Sequence, residues 1–218
     1  MASRAYSAPW LLVQAAQAGL DLNPGQAERL ATLTRLLLLW SDRINLIGPQ
    51  AKARLWEEHL AEGLALAARL PQAERTADLG AGAGLPGLVV ACLQPERSLD
   101  LFEARAKKGS FLRTAVAELG LDHVRVLTVR APVTAPPQTQ AAYDLVFSRA
   151  AASLVRLLKP AGWLLRPGGR LAALKGPRAE EELQTARRSP SFSSWRVESV
   201  VEWSLFGRSR RLVILEKT

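Results

Sequence analysis

The sequence is poor in the residues that build covalent or metal-bound sites. Among 218 residues there is one cysteine, Cys92, and there are two histidines, His59 and His123. A single cysteine excludes a disulfide framework and every cysteine-based zinc site. Two isolated histidines do not favour a histidine-rich metal centre either. We therefore expect no metal site, and the cytoplasm is the expected compartment.

Long hydrophobic runs are also missing. Apolar runs such as Leu36 to Trp40 are far short of the roughly 20 residues that cross a bilayer. An apolar stretch from Pro9 to Leu20 is interrupted by Gln14 and Gln17, which is not typical of a signal peptide. The sequence predicts no membrane segment.

What the chain has is an ordinary core and a large excess of positive charge. Hydrophobic residues make up 48% and charged residues 22%, which is typical of globular proteins and excludes disordered and collagen-like classes. There are 29 Lys and Arg against 20 Asp and Glu, giving a net charge of +9. Such an excess favours a polyanionic partner, because neutralised phosphates release counterions. A basic enzyme with a small anionic substrate remains open.

The patterning changes near residue 74. Before it, Asn23-Pro24 is typical of a helix start, and Leu30, Leu33 and Leu37 recur on one helical face. We expect this helix to end at Gly48-Pro49 and a second one to run from Leu55 to Ala68. The sequence thus predicts a helical N-terminal extension, residues 1–73, packed on a domain formed by residues 74–218.

From residue 75 short β-rich runs alternate with helical ones. The predicted strands are Thr76–Gly80, Ser98–Glu103, Val124–Val129, Tyr143–Ser148, Arg170–Leu174, Trp195–Ser204 and Arg211–Glu216. The early runs are separated by stretches long enough for crossover helices, which predicts parallel pairing. The last two are joined by Leu205 to Arg210, too short for such a helix, so they form an antiparallel hairpin. The fold class is α/β, with a mostly parallel seven-stranded sheet that ends in this hairpin.

The most informative segment runs from Thr76 to Gly87. A strand leads into the alternate glycines Gly80, Gly82 and Gly84, where a ligand can approach the backbone closely. Gly82, Gly84 and Gly87 also satisfy G-x-G-x-x-G, a weak dinucleotide signature. Asp78 argues against a nicotinamide cofactor, because a carboxylate there repels a pyrophosphate and accepts from an ammonium.

A second acidic residue, Glu103, ends the next predicted strand. A carboxylate at that position can accept both hydroxyls of a ribose. Together, Asp78 and Glu103 describe a ligand with an amine, a ribose and no required phosphate. S-adenosylmethionine fits this description.

A series of motifs resembles the bacterial glucose-inhibited division protein B family, whose members methylate a guanine N7 of small-subunit ribosomal RNA. The motifs are Asp78–Gly87, Lys107-Lys108 with Phe111-Leu112, Phe147–Ala150, Ala173–Gly176 and Arg211–Val213, preceded upstream by Ile44–Leu46 and His59-Leu60. The resemblance covers nearly the whole chain. It implies a Rossmann-like, S-adenosylmethionine-dependent methyltransferase that acts as a monomer on the 530 loop of 16S rRNA, or on that loop in a small-subunit precursor.

The resemblance and the residue analysis together give a candidate set of site residues. The cofactor candidates are Asp78, Gly80, Gly82, Leu85, Glu103, Ala104, Arg105, Ala131, Pro132 and Arg149. The RNA-binding candidates are Lys107, Lys108, Arg130, Lys175, Arg178, Arg208 and Arg210. Pro132 stands where the family usually has an acid, which weakens one expected adenine contact. Glu103 and Glu62 stand where the family more often has aspartate.

The predicted reaction agrees with the absence of a catalytic histidine or cysteine constellation from the sequence. Guanine N7 carries a lone pair and no proton, so its methylation requires positioning and no acid or base. Arg149 is expected to act as a positioning residue at the transfer step rather than in folding. Ser148-Arg149-Ala150-Ala151 lacks the proline-rich motif of exocyclic amine methylation, and Cys92 lies in a crossover helix, where it is expected to be core. The alternatives are a methyltransferase acting on another RNA or a small molecule, and a non-catalytic RNA-binding factor of ribosome assembly.

Overall fold

The structure, a computed structural model, describes residues 6–131, 133–149 and 152–218. Its strands are β1 Arg75–Leu79, β2 Ser98–Phe102, β3 Val124–Leu127, β4 Tyr143–Ser148, β5 Leu165–Lys175, β6 Trp195–Leu205 and β7 Arg208–Lys217. Its α-helices are α1 Ala8–Gln17, α2 Pro24–Ser41, α3 Pro49–Ala53, α4 Ala61–Ala67, α5 Gly87–Leu93, α6 Ala106–Glu118, α7 Leu154–Leu164 and α8 Ala179–Arg187. A π-helical turn, Trp56–Leu60, precedes α4, and short 3₁₀ turns lie at Pro137–Thr139 and Pro190–Phe192.

The strands form one sheet in the order β3-β2-β1-β4-β5-β7-β6. All pairs from β3 to β5 are parallel, whereas β7 runs antiparallel to β5 and to β6. The predicted fold class is therefore confirmed, including the closing hairpin. The hairpin turn has only two residues, Phe206 and Gly207, with φ of 50° and 70°. Positive φ at both positions is the geometry of a tight hairpin turn, so both strands extend further than predicted.

The N-terminal helices differ from the sequence prediction in their ends. The predicted start of α2 is correct, because the Asn23 side chain accepts from the Gln26 amide and the Gln26 side chain accepts from the Asn23 amide, both at 2.9 Å. The helix nevertheless ends at Ser41, and Pro49 begins α3 instead of ending α2. Proline is well tolerated in the first helical turn, where its missing N–H has no partner to lose.

The N-terminal extension packs on the first crossover helix. Leu30, Leu33 and Leu37 are fully buried and share a cluster with Leu88 and Val89 of α5. At the end of α5, the Gln26 side-chain amide donates to the Leu93 carbonyl and the Arg29 guanidinium donates to the Cys92 carbonyl. The extension thus covers one sheet face while α7 and α8 cover the other. The boundary at residue 73 stays a prediction.

Cys92 belongs to this packing. Its side chain is fully buried in α5, and burial raises the pKa of the thiol to about 12. The thiolate that nucleophilic chemistry requires is therefore disfavoured. No helix within the described residues is long and apolar enough to cross a membrane.

Candidate active site

The predicted site residues meet at the carboxyl ends of three neighbouring strands. Asp78 lies near the end of β1, Glu103 directly follows β2, and Arg149 directly follows β4. The strand order reverses between β1 and β4, which are adjacent in the sheet. In open α/β sheets this reversal opens a crevice that takes the ligand.

The loop after β1 gives the crevice its shape. Gly80, Gly82 and Gly84 have φ of 84°, 60° and 74°, the left-handed region that glycine adopts without strain. A side chain at Gly82 would enter open space, since its Cβ would come no closer than 3.8 Å to the Gly80 carbonyl and 3.9 Å to Lys108 Nζ. At Gly84 the same atom would lie 2.4 Å from Leu88. Gly82 therefore leaves room for a ligand, whereas the missing side chain at Gly84 lets Leu88 pack against the loop.

Glu103 is held by the backbone beside this loop. Its Oε2 accepts from the Gly82 amide and its Oε1 from the Arg105 amide, both at 2.8 Å, and only 7% of the residue is exposed. Each carboxylate oxygen has a second lone pair. The side chain is fixed in place and still able to accept the two hydroxyls of a ribose.

Asp78 is a buried carboxyl with an unpaired oxygen. The residue is 1% exposed, and its Oδ2 has no hydrogen-bond partner among the described residues. Burial raises the pKa of Asp78 to about 7. Oδ2 lies close to Gly87, and a side chain there would clash with the carboxyl, since its Cβ would be 2.4 Å from Oδ2. Such a carboxyl fits a ligand that brings its own ammonium group.

Arg149 is bound to the N-terminal extension. Its Nε lies 2.5 Å from Glu62 Oε2, its Nη1 2.6 Å from His59 Nδ1, and its Nη2 donates to the Glu58 carbonyl at 2.7 Å. A guanidinium has five N–H bonds, so two remain beyond these three described partners. Contrary to the expectation of a role outside folding, these contacts give Arg149 a structural role in addition to any role at the transfer step.

The same extension also binds the closing hairpin. Arg208 pairs with Glu58 at 2.6 Å, and Arg210 pairs with Glu62, whose side chain is 5% exposed. His59 accepts a hydrogen bond from Arg149 and stays neutral, because burial, followed by the nearby Arg149 charge, lowers its pKa to about 4. We call Glu58, His59, Glu62, Arg149, Arg208 and Arg210 the ionic junction.

Sequence reasoning did not find the ionic junction. A signal was present, since Glu58 and Glu62 are four residues apart in a helical stretch and Arg208 and Arg210 are two apart in a strand. Those spacings place each pair on one face. Which residues each face contacts depends on the tertiary structure, and local spacing does not reveal it.

The RNA-binding candidates fall into two groups. Lys107, Arg130 and Arg178 are exposed, and Lys108 is half-buried; none of the four forms an ion pair with a described residue. Lys175, in contrast, is 6% exposed, donates to the Ala152 carbonyl at 2.6 Å and pairs with Glu182 at 3.0 Å. Because Lys175, Arg208 and Arg210 already have partners, their positions favour structural roles over RNA contact.

The remaining cofactor candidates that the structure describes lie in the segments that follow β1, β2 and β3. Ala104 and Arg105 are exposed beside Glu103, Leu85 is 9% exposed in the glycine loop, and Ala131 is half-buried. Pro132, Ala150 and Ala151 lie outside the described residues. The cofactor roles of the whole set stay predictions.

The sheet order, the closing hairpin and the strand-end crevice define the class: this is a Rossmann-like S-adenosylmethionine-dependent methyltransferase fold. Among solved structures it is similar to M. jannaschii TYW2 in complex with AdoMet, with a TM-score of 0.56 at 12% identity over 73% of this chain and 76% of that one. The tRNA methyltransferase TrmK of B. subtilis gives 0.55 at 16% identity over 74% of this chain and 66% of that one. At these identities the likeness concerns the fold alone.

The chain belongs to the GidB family, described as rRNA small subunit methyltransferase G, whose model matches residues 26–213. Ribosomal RNA small subunit methyltransferase G of Moorella thermoacetica is 33% identical over 204 residues, which are 91% of this chain and 85% of that protein. The protein of the same name from Acidothermus cellulolyticus is 45% identical over 144 residues, which are 65% of this chain and about three-fifths (61%) of that protein. The resemblance found in the sequence is confirmed, and with it S-adenosylmethionine as the cofactor of this family and fold.

Proposed function

We propose that this protein methylates guanine N7 of 16S ribosomal RNA, in the 530 loop, with S-adenosylmethionine as the methyl donor. The observation that carries the proposal is the meeting of Asp78, the glycine loop and Glu103 at the sheet's switch point, in a chain of this family. Lys107, Arg130 and Arg178, which are exposed and form no ion pair with a described residue, support a polyanionic substrate.

The residues of the crevice fit the donor group by group. Glu103 would accept from the ribose hydroxyls, while Gly82 leaves space for the nucleoside beside the backbone. The unpaired Oδ2 of Asp78 would accept from the amino group of the methionine portion. S-adenosylmethionine, when bound, supplies a methyl group on a positively charged sulfur.

The reaction requires the protein to position the guanine and the methyl donor, and it requires no proton transfer. Because N7 carries a lone pair and no proton, the residues of the site would position the base and would not need to remove a proton from it. Arg149 stays protonated and abstracts nothing, and His59 is half-buried in the ionic junction with Nδ1 already accepting. Arg149 would therefore orient the guanine or the donor with its two remaining N–H bonds.

Methyl transfer from labelled S-adenosylmethionine to unmodified small-subunit rRNA tests the proposal. Purified protein is expected to label the rRNA, and a tRNA pool of equal mass should remain unlabelled. Label in the tRNA alone would favour the reading as a methyltransferase on another RNA. Tight rRNA binding without any transfer would favour the non-catalytic assembly factor.

A further inference from the structure

A second concave site lies beside the glycine loop, between the N-terminal extension and the start of α6. It has a volume of about 480 Å³ and is lined by Arg43, Ile44, Asn45, Arg105, Ala106, Lys107 and Lys108. We call it the basic groove. Its volume is within the range of sites that bind a small molecule or one nucleotide.

The charge of the basic groove is of one sign. Four of its lining residues are cations, none is acidic, and none of the four cations forms an ion pair with a described residue. The ionic junction behaves differently, because there Arg149, Arg208 and Arg210 each face a glutamate. Cations gathered in a concave site without acids produce a local field that attracts an anion.

The basic groove adjoins the crevice that would hold the methyl donor. Lys108 lines the groove, and its Nζ lies 3.9 Å from the position of a Cβ at Gly82, the open position of the loop. Arg105 lines it as well, while its amide donates to Glu103. An anion in the groove is therefore next to the reaction site, where the strand flanking a target base would pass.

Three of the seven residues that line the groove come from the N-terminal extension. Arg43 and Asn45 are exposed in the segment between α2 and α3, and Trp40, just before them, packs on Phe111 of α6 with ring centroids 5.7 Å apart. This packing fixes the segment against the helix that carries Lys107 and Lys108. The extension thus contributes lining residues to the basic groove as well as side chains to the core.

We propose that the basic groove binds the phosphodiester backbone of the RNA strand that flanks the target guanine, with Arg43 and Lys107 as phosphate contacts. This inference rests on the proposed function for its substrate. Arg43 is a contact that the sequence analysis did not include. Exposed cations that reach phosphates are expected to affect RNA affinity and its salt dependence, and to leave donor binding unchanged.

The test compares two charge-matched double variants. Arg43→Gln/Lys107→Gln removes two cations from the groove. Arg156→Gln/Lys159→Gln removes from α7, which covers the opposite sheet face, two exposed cations that form no ion pair with a described residue. For each variant we would measure the affinity for small-subunit rRNA against salt, the KM for rRNA, the melting temperature and the affinity for S-adenosylmethionine.

The groove variant should reduce the slope of log affinity against log salt by about 1.4, roughly 0.7 for each lost phosphate contact on a single strand. Its KM for rRNA should rise about tenfold, whereas the control variant should match the wild type. Equal slopes and equal KM values in the two variants would overturn the groove assignment. Wild-type protein that binds rRNA with a steep salt slope but transfers no methyl group would contradict the proposed function, and the slopes would still decide the groove.

Discussion

The Arg149 guanidinium and the Glu62 carboxylate join the catalytic sheet to the N-terminal extension, with Nε and Oε2 2.5 Å apart. Arg149 follows β4 at the proposed site of methyl transfer, and Glu62 lies in α4. Glu62 also accepts from Arg210 of the closing hairpin. One buried carboxylate thus connects three parts of the chain, and the position of Arg149 depends on it.

The Arg149–Glu62 pair should be coupled in both stability and rate. Arg149→Gln leaves Glu62 with Arg210 alone, so the free energy of unfolding should fall, by less than the roughly 3 kcal/mol of a buried charge left without any partner. A double-mutant cycle with Glu62→Gln should give a coupling of about 0.5 to 3 kcal/mol. Methylation by Arg149→Gln should fall more than about tenfold at a temperature where the variant is folded.

Arg149→Lys separates charge from geometry, because lysine retains the charge but not the planar fork. It should recover part of the stability and little of the rate. A lysine variant as active as the wild type would remove the positioning role of Arg149.

A side chain at Gly82 should abolish donor binding and leave the protein folded. Gly82→Val puts a branched side chain into open space at φ 60°, where the ligand is expected. We expect calorimetry to show at least about a hundredfold weaker S-adenosylmethionine binding, a loss of roughly 2.7 kcal/mol.

Gly120→Val is the matched control. Gly120 also has φ of 60° and no atom within 4 Å of a Cβ, so the backbone strain of about 1 to 2 kcal/mol is comparable. It lies after α6, outside the site. If both variants bind the donor equally well, the glycine loop is not the donor site.

Asp78 should make stability and donor binding depend on pH in opposite directions. Its pKa is raised from 3.8 to about 7 in the folded protein. Between about pH 4 and 7 the unfolded chain has already lost this proton while the folded chain still holds it. Stability without the donor should therefore fall as pH rises from about 4 to 7 and level off above 7, and Asp78→Asn should remove this fall.

The ionised form of Asp78 is the one that attracts an ammonium group, so S-adenosylmethionine affinity should rise over the same interval. His59 does not disturb this measurement, because its pKa of about 4 keeps it neutral above pH 6. Titration calorimetry at pH 6 and 8 on the wild type and Asp78→Asn is the direct check. An affinity that rises equally in both proteins would exclude Asp78 as the partner of the amine.

The features predicted from sequence are those set by local pattern. The hairpin follows from a short connection between two β-rich runs, and the crevice follows from a glycine loop and an acid at the ends of successive strands. Because β1 and β4 are neighbours in the sheet, Asp78 and Arg149 lie at the same edge, the carboxyl ends of the strands.

The features that were not predicted depend on contacts between distant segments. Lys175 reads as a free cation in the sequence, yet its position inside the sheet gives it Glu182 as a partner. Arg43 reads as an ordinary surface residue until the packing of Trp40 on Phe111 places it beside Lys107. Charge alone therefore does not separate structural cations from those free to bind RNA.

The most direct test of the account is to map the methylated atom. Small-subunit rRNA methylated by the wild-type protein would be reduced and treated with aniline, which cleaves at N7-methylguanosine, and the products would be read by primer extension. We expect one new cleavage, at a guanosine of the 530 loop, that is absent when Gly82→Val is used. Methyl groups found on an exocyclic amine, a pyrimidine or many scattered guanosines would contradict it.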